Sequence, residues 1–208
     1  MGRTHYSMKA AIMDDSVRQA MAKWPNVPHC YGWLALDARG GWRMRDDAAQ
    51  QSGHAGDRIA NQALLGFINR NYACDDDGRW YFQNGPQRVY VDLEATPYIA
   101  RTDPVQGFVL QTSETVGQID QAYMTERGQL ILQSGGKLAL VDDRDLAQCT
   151  AAMFIDGAPA SDEQLLAWLG AETPASMTLR HRGCELPVQR IDSAGLAQRF
   201  GFVQQPRG

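Results

Sequence analysis

The chain has 208 residues, 44% of them apolar, and a net charge of −4 with no run of Lys or Arg. That is enough apolar material for one sizeable core or two small ones. The acidic balance argues against a nucleic-acid partner, and no apolar stretch approaches the ~20 residues that a bilayer span requires.

Residues 1–12 read as a loose leader without the apolar core of a signal peptide, so cytoplasm is the expected compartment. The cysteines Cys30, Cys74, Cys149 and Cys184 are scattered. No CxxC pair suggests zinc, and without an export signal four reduced thiols are expected.

From Asp15 or Ser16 a helix carries Val17, Ala20, Met21 and Trp24 on one stripe, and Pro25 ends it. Tyr31 to Leu36 reads as a strand. A Gly-containing loop at Gly40-Gly41 and a second strand from Trp42 complete a hairpin. Asp46 to Asp57 is polar and reads as a surface loop. Asn61 caps a helix from Gln62 to about Asn71 that buries Leu64, Leu65, Ile68 and Tyr72.

Gly78 to Glu94 is the clearest hairpin. Trp80, Tyr81 and Phe82 precede the turn Asn84-Gly85-Pro86, and Val89, Tyr90 and Val91 follow it. Alternation puts Val89, Val91 and Leu93 on one face and Arg88, Tyr90 and Asp92 on the other. Ala95 to Gln106, with Pro97 and Pro104, reads as the boundary between lobes.

Beyond it, Phe108 to Gln111 and Val116 to Tyr123 read as strands, and Gly128 to Val141 as a second hairpin. Asp142 or Asp143 starts a helix. Ser161 with Gln164 makes a capping box for a helix burying Leu165, Leu166 and Leu169. Met177 to Ile191 is a further hairpin whose Pro187 suggests an edge strand. Ser193 caps a short helix, and residues 204–208 read as a flexible tail.

The second hairpin echoes the first at an offset of fifty. Gly78 matches Gly128, Gln83 matches Gln133, Gly85 matches Gly135, Val91 matches Val141 and Asp92 matches Asp142. Unrelated segments of this length share about one identity. The expected fold is therefore α+β: two lobes of antiparallel hairpins with short packed helices, residues 13–103 and 104–203; the echo reads as an internal duplication, the alternative being two hairpins that merely use similar turn chemistry.

The order of signals in the first lobe is distinctive. Tyr31-Gly32-Trp33-Leu34 leads to Gly40-Gly41-Trp42 and then to Phe67-Ile68-Asn69-Arg70. Gly78-Arg79-Trp80-Tyr81-Phe82, Val89-Tyr90-Val91 and Thr96-Pro97-Tyr98-Ile99 follow. Over about Trp24 to Ile99 this order resembles an uncharacterised bacterial family, a domain of unknown function. The resemblance implies no activity, cofactor or residue role.

Most polar clusters read as structure. Asp75-Asp76-Asp77-Gly78 lacks the ligand spacing of a calcium loop and reads as solvated turn carboxylates. Gln133 to Lys137 lacks the first Gly and the following helix of a phosphate loop. His29 and Cys30 are adjacent on a strand and point to opposite faces. No metal site and no cofactor is expected.

If Trp80 and Phe82 face the core, Tyr81 faces outward with Arg88 and Tyr90. These three are the candidate ligand-binding residues, suited to cation–π contact if their face is exposed; if a helix covers that face, they are simply core. The leading expectation is a non-catalytic regulatory module that binds a small molecule or a protein partner. The alternative is a small hydrolase or transferase with a dispersed active site using Cys30 or His181. A third is a homodimer joined by an edge strand near Pro187.

Overall fold

The structure is a computed structural model that describes residues 13–170 and 175–208; the expected leader at 1–12 lies outside the described residues. The chain is α+β and divides into two compact units. The first takes residues up to Pro97, Gln111–Ser113 and Phe200–Gly208; the second takes Tyr98–Leu110 and Glu114–Arg199. No helix among the described residues is long and apolar enough to cross a membrane.

The first unit runs α1 (Asp15–Lys23), β1 (Cys30–Leu36), β2 (Trp42–Met44), α2 (Asp47–Ser52), β3 (Asp57–Arg58), α3 (Gln62–Arg70), β4 (Tyr72–Cys74), β5 (Trp80–Asn84) and β6 (Gln87–Leu93). Its strands order as β3-β2-β1-β6-β5-β4. The Asn61 side chain accepts from the Leu64 N–H and starts α3. One face of the sheet is apolar core. Leu34, Leu36, Trp42, Trp80, Phe82, Val91 and Leu93 are buried there. Phe67 of α3 meets Phe82 edge-on at 5.3 Å, and Trp42 meets Tyr72 at 5.1 Å.

The second unit runs β7 (Tyr98–Asp103), β8 (Gly107–Leu110), β9 (Gln121–Thr125), β10 (Leu130–Ser134), β11 (Lys137–Val141), α4 (Leu146–Thr150), β12 (Met153–Ile155), β13 (Ala158–Pro159), α5 (Asp162–Leu169), β14 (Met177–His181) and β15 (Cys184–Ile191), with α6 (Leu196–Phe200) after it. Its strands order as β13-β12-β14-β15-β9-β10-β11-β7-β8. The Ser161–Gln164 capping box of α5 is formed from both sides.

The expected antiparallel sheets are in fact mixed. β6 pairs parallel with β1, β11 with β7 and β15 with β9. In each case the last strand of a hairpin inserts beside the first strand of an earlier one. The order β4-β5-β6-β1-β2 in the first unit has the same plan as β9-β10-β11-β7-β8 in the second, and β12-β14-β15-β9-β10 repeats it. The two echoed hairpins also share their register. Tyr81 pairs Tyr90 and Gln83 pairs Arg88, as Ile131 pairs Leu140 and Gln133 pairs Leu138.

Several local expectations change. The polar stretch 46–57 contains α2, because Asp46 accepts from the Ala49 N–H and Gly53 closes the helix in the left-handed region. Pro104 lies in the turn of the β7–β8 hairpin, where Asp103 accepts from the Val105 and Gln106 amides. Pro187 is not on an edge. β15 lies between β14 and β9, and its ladder with β9 begins only at Val188, past the residue that lacks an N–H.

Trp24 and Leu166, expected in the core, are exposed. Residues 204–208, expected to be flexible, are tied down within the first unit. The Leu93 N–H donates to Gln204 O at 2.7 Å, Arg207 pairs with Asp92 at 2.9 Å, and Pro206 is buried.

Two glycines of the echoed units separate backbone strain from crowding. Gly78 has φ +78, and a Cβ there would lie 2.1 Å from the Gly201 carbonyl oxygen; Gly135 has φ +53 and open space around it. Gly135→Ala is expected to cost about 1 kcal/mol from the left-handed backbone alone. Gly78→Ala is expected to cost about 3 kcal/mol. Urea unfolding of both variants checks this, and equal costs would contradict it.

Candidate functional site

The register of β5 and β6 sets the site. Tyr81 lies opposite Tyr90, and Gln83 opposite Arg88, on the face away from Phe82 and Val89. The three candidate residues Tyr81, Arg88 and Tyr90 do converge on one face. Of the two arrangements expected for this face, the covered one is found: Tyr81 is 7% exposed and Tyr90 1%.

β1 supplies part of the cover. Cys30 pairs with Val89 and Leu34 with Val91, so Tyr31, Gly32 and Trp33 together span the single residue Tyr90. This bulge needs Gly32, whose φ is +80. It lays Tyr31 flat on Tyr90, with ring centroids 4.7 Å apart and planes 5° from parallel. His29 meets the same ring edge-on at 5.8 Å.

Asp75 anchors the other side. Asp76 and Asp77 are exposed as expected, but Asp75 is half-buried. Its Oδ1 accepts the backbone N–H groups of Asp77 and Arg79. Its Oδ2 accepts from Arg79 Nε at 2.8 Å and from the Tyr90 hydroxyl at 3.0 Å. Burial acts to raise its pKa, but these hydrogen bonds outweigh it and hold the carboxyl below its usual range. Burial pushes the Tyr90 hydroxyl up, against the pull of a hydrogen bond from Arg88.

Arg88 differs from its neighbours. The half-buried Arg43, Arg45 and Arg79 each reach a carboxylate, Asp37 at 2.8 Å, Asp92 at 2.6 Å and Asp75 at 2.8 Å. Arg88 is also half-buried, yet no carboxylate among the described residues lies within ion-pair distance of it. Its guanidinium sits 4.5 Å over the Tyr81 ring and hydrogen-bonds Tyr90. A guanidinium has five donors in a planar fork, so this one retains capacity for a carboxylate or phosphate.

Elsewhere the chemistry is weaker. Burial, with nearby Asp75 for Cys74 and Asp145 for Cys149, pushes both thiols up to about 12. Cys30 is half-buried at the start of β1. In the second unit His181 packs on Phe108 at 4.9 Å; burial and then Arg182 lower its pKa. Its register partner is the exposed Cys184, which sequence reading passed over although a two-residue turn places its flanking residues opposite one another.

Gln133 to Lys137 is a hairpin turn, and Lys137 pairs with Glu114. No group of three or more His, Cys, Asp or Glu among the described residues is placed to hold a metal. Gln83, at the heart of the site, is marked in the sequence only by its match to Gln133. No sequence signal marks its isolation.

The DUF2944 family model, described as "Protein of unknown function (DUF2946)", matches residues 13–207. No curated protein matches. Among solved structures, a DUF1285 family protein from Silicibacter pomeroyi DSS-3 is similar with a TM-score of 0.50 at 13% identity, over 93% of this chain and 94% of that one. A second DUF1285 family protein, from Shewanella baltica OS155, has a TM-score of 0.39 at 13% identity, over 56% and 88% of the two chains. The first likeness is one of fold.

The depressed pKa of Asp75 has a consequence in acid. A carboxylate lowered on folding stabilises the protein above its unfolded pKa of about 4, and that stabilisation is lost as pH falls through the folded value. Asp75→Asn is expected to cost about 2 kcal/mol at pH 7, and to flatten the decline in stability between about pH 5 and pH 2. Urea unfolding as a function of pH measures both, and an unchanged acid slope would contradict the assignment.

Proposed function

The chain belongs to the DUF2944 family of proteins of unknown function, and from that premise we propose that it is a non-catalytic regulatory module. Its first unit binds a small anionic molecule at Arg88, Tyr81 and Tyr90. The observation that carries this reading is the guanidinium of Arg88, half-buried over an aromatic ring and with no carboxylate within ion-pair distance among the described residues. Partial burial of a cation carries a cost that an ion-pair partner offsets. A ligand anion would complete the pairing that Asp37, Asp92 and Asp75 give to the other half-buried arginines.

The surroundings suit recognition more than turnover. Tyr90 is fixed by the Asp75 carboxylate below and by the Tyr31 ring above. Such rigidity lowers the entropy that a ligand must give up on binding. The alternative, a hydrolase or transferase, needs an activated nucleophile. The raised pKa values of Cys74 and Cys149 work against that at those two positions.

Thermal-shift titrations with inorganic phosphate, acetate and benzoate test the proposal. Benzoate is expected to stabilise most, because its ring can add stacking to the charge contact. At ten times its Kd the stabilisation is about 1.4 kcal/mol. Arg88→Leu is expected to remove that shift, and Arg88→Lys to keep part of it. No shift with any of the three anions, or an equal shift in Arg88→Leu, would contradict the proposal.

A further inference from the structure

The two echoed hairpins can be read against each other, residue by residue, around their shared glutamine. In the second unit Gln133 is satisfied: its Oε1 accepts from the Tyr123 hydroxyl at 3.2 Å. In the first unit Gln83 is 1% exposed, and its Nε2 donates to Gly85 O at 2.9 Å. Among the described residues, no group donates to Gln83 Oε1.

The reason is one residue. Tyr123 of β9 pairs with Ile131, and the corresponding residue on β4, paired with Tyr81, is Ala73. The first unit thus keeps the acceptor and lacks the phenol that serves it. Ala73 is half-buried on the edge strand of its sheet.

The residue opposite the glutamine changes too. Gln133 faces Leu138, whereas Gln83 faces Arg88. Ile131 and Leu140 of the second unit become Tyr81 and Tyr90 in the first. Where the second unit has Ile131, Leu138 and Leu140, the first has two tyrosines and, among the described residues, an arginine without a carboxylate and an acceptor without a donor. A buried acceptor left unserved is costly, so a donor supplied to Gln83 Oε1 would be favoured.

We infer that the ligand at Arg88 is a small hydroxyaryl acid: its phenolic hydroxyl donates to Gln83 Oε1, where the second unit uses Tyr123, and its acid group meets the Arg88 guanidinium. This rests on the anion-binding reading above and adds the donor and the ring to it. The hydroxyl and the acid answer two side chains that stand directly opposite each other on one face.

Isothermal titration of the full chain with benzoate, phenol and 2-, 3- and 4-hydroxybenzoate tests this. At least one hydroxybenzoate is expected to bind tenfold or more tightly than both benzoate and phenol. Ala73→Tyr restores the arrangement of the second unit, and is expected to abolish binding of the hydroxybenzoates while raising the melting temperature. Gln83→Leu, if it folds, is expected to reduce the hydroxybenzoate to the affinity of benzoate. Benzoate binding that depends on Arg88, with no hydroxybenzoate preferred, would overturn the donor inference and leave the anion reading standing. A hydroxybenzoate preference that persists in Ala73→Tyr would also overturn it. Failure of all the acids to bind the wild-type chain would remove the anion reading itself.

Discussion

The pairing of β5 with β6 is the constraint on which the first unit depends. Side chains alternate along a strand, so a slip of one residue would exchange the two faces of the hairpin. In the observed register Phe82 and Val89 enter the core, while Tyr81, Gln83, Arg88 and Tyr90 gather on the far side. The slipped register would bury a guanidinium among apolar side chains and expose Phe82, and both changes are unfavourable. The parallel pairing of β6 with β1 then fixes the hairpin from its other edge and brings Tyr31 onto Tyr90.

The far side is held by polar contacts as well as by rings. Asp92 is buried, and its two oxygens are taken by Arg45 at 2.6 Å and Arg207 at 2.9 Å. Fifty residues on, Asp142 is buried and paired with Arg101 and Arg144. Removing one partner of such a group would leave a buried charge, and this makes the arrangement rigid even where it adds little net stability. The contact from Arg207 also explains why the end of the chain is ordered against the first sheet. Against this background of paired charges, Arg88 and Gln83 have unmet capacity among the described residues.

Much of this was legible in the sequence because it is local. The turn at Gly85-Pro86, the Asn61 cap, the capping box at Ser161 and the alternation of Arg88 and Tyr90 each depend on residues a few positions apart. The common face of Tyr81, Arg88 and Tyr90 follows from that alternation. What could not be read is what covers the face. Tyr31 reaches Tyr90 only through a bulge at Gly32, and that bulge exists only once β1 lies parallel to a strand almost sixty residues away. Parallel pairings leave no turn signal between their strands, so the sheets were expected to be antiparallel. The loop at 46–57 hid a helix because α2 buries no residue and has no apolar stripe to announce it. The isolation of Gln83 was invisible for a further reason: it depends on a residue, Ala73, that lacks a hydroxyl its counterpart Tyr123 possesses.

The central claim is that Arg88 is held over Tyr81 to receive an anion from outside the protein. A crystal structure of the chain grown with benzoate tests it most directly. The account predicts Tyr81 opposite Tyr90, Arg88 over the Tyr81 ring, and the benzoate carboxylate within hydrogen-bond distance of the guanidinium. A guanidinium turned into solvent, or paired with one of the protein's own carboxylates, would contradict it.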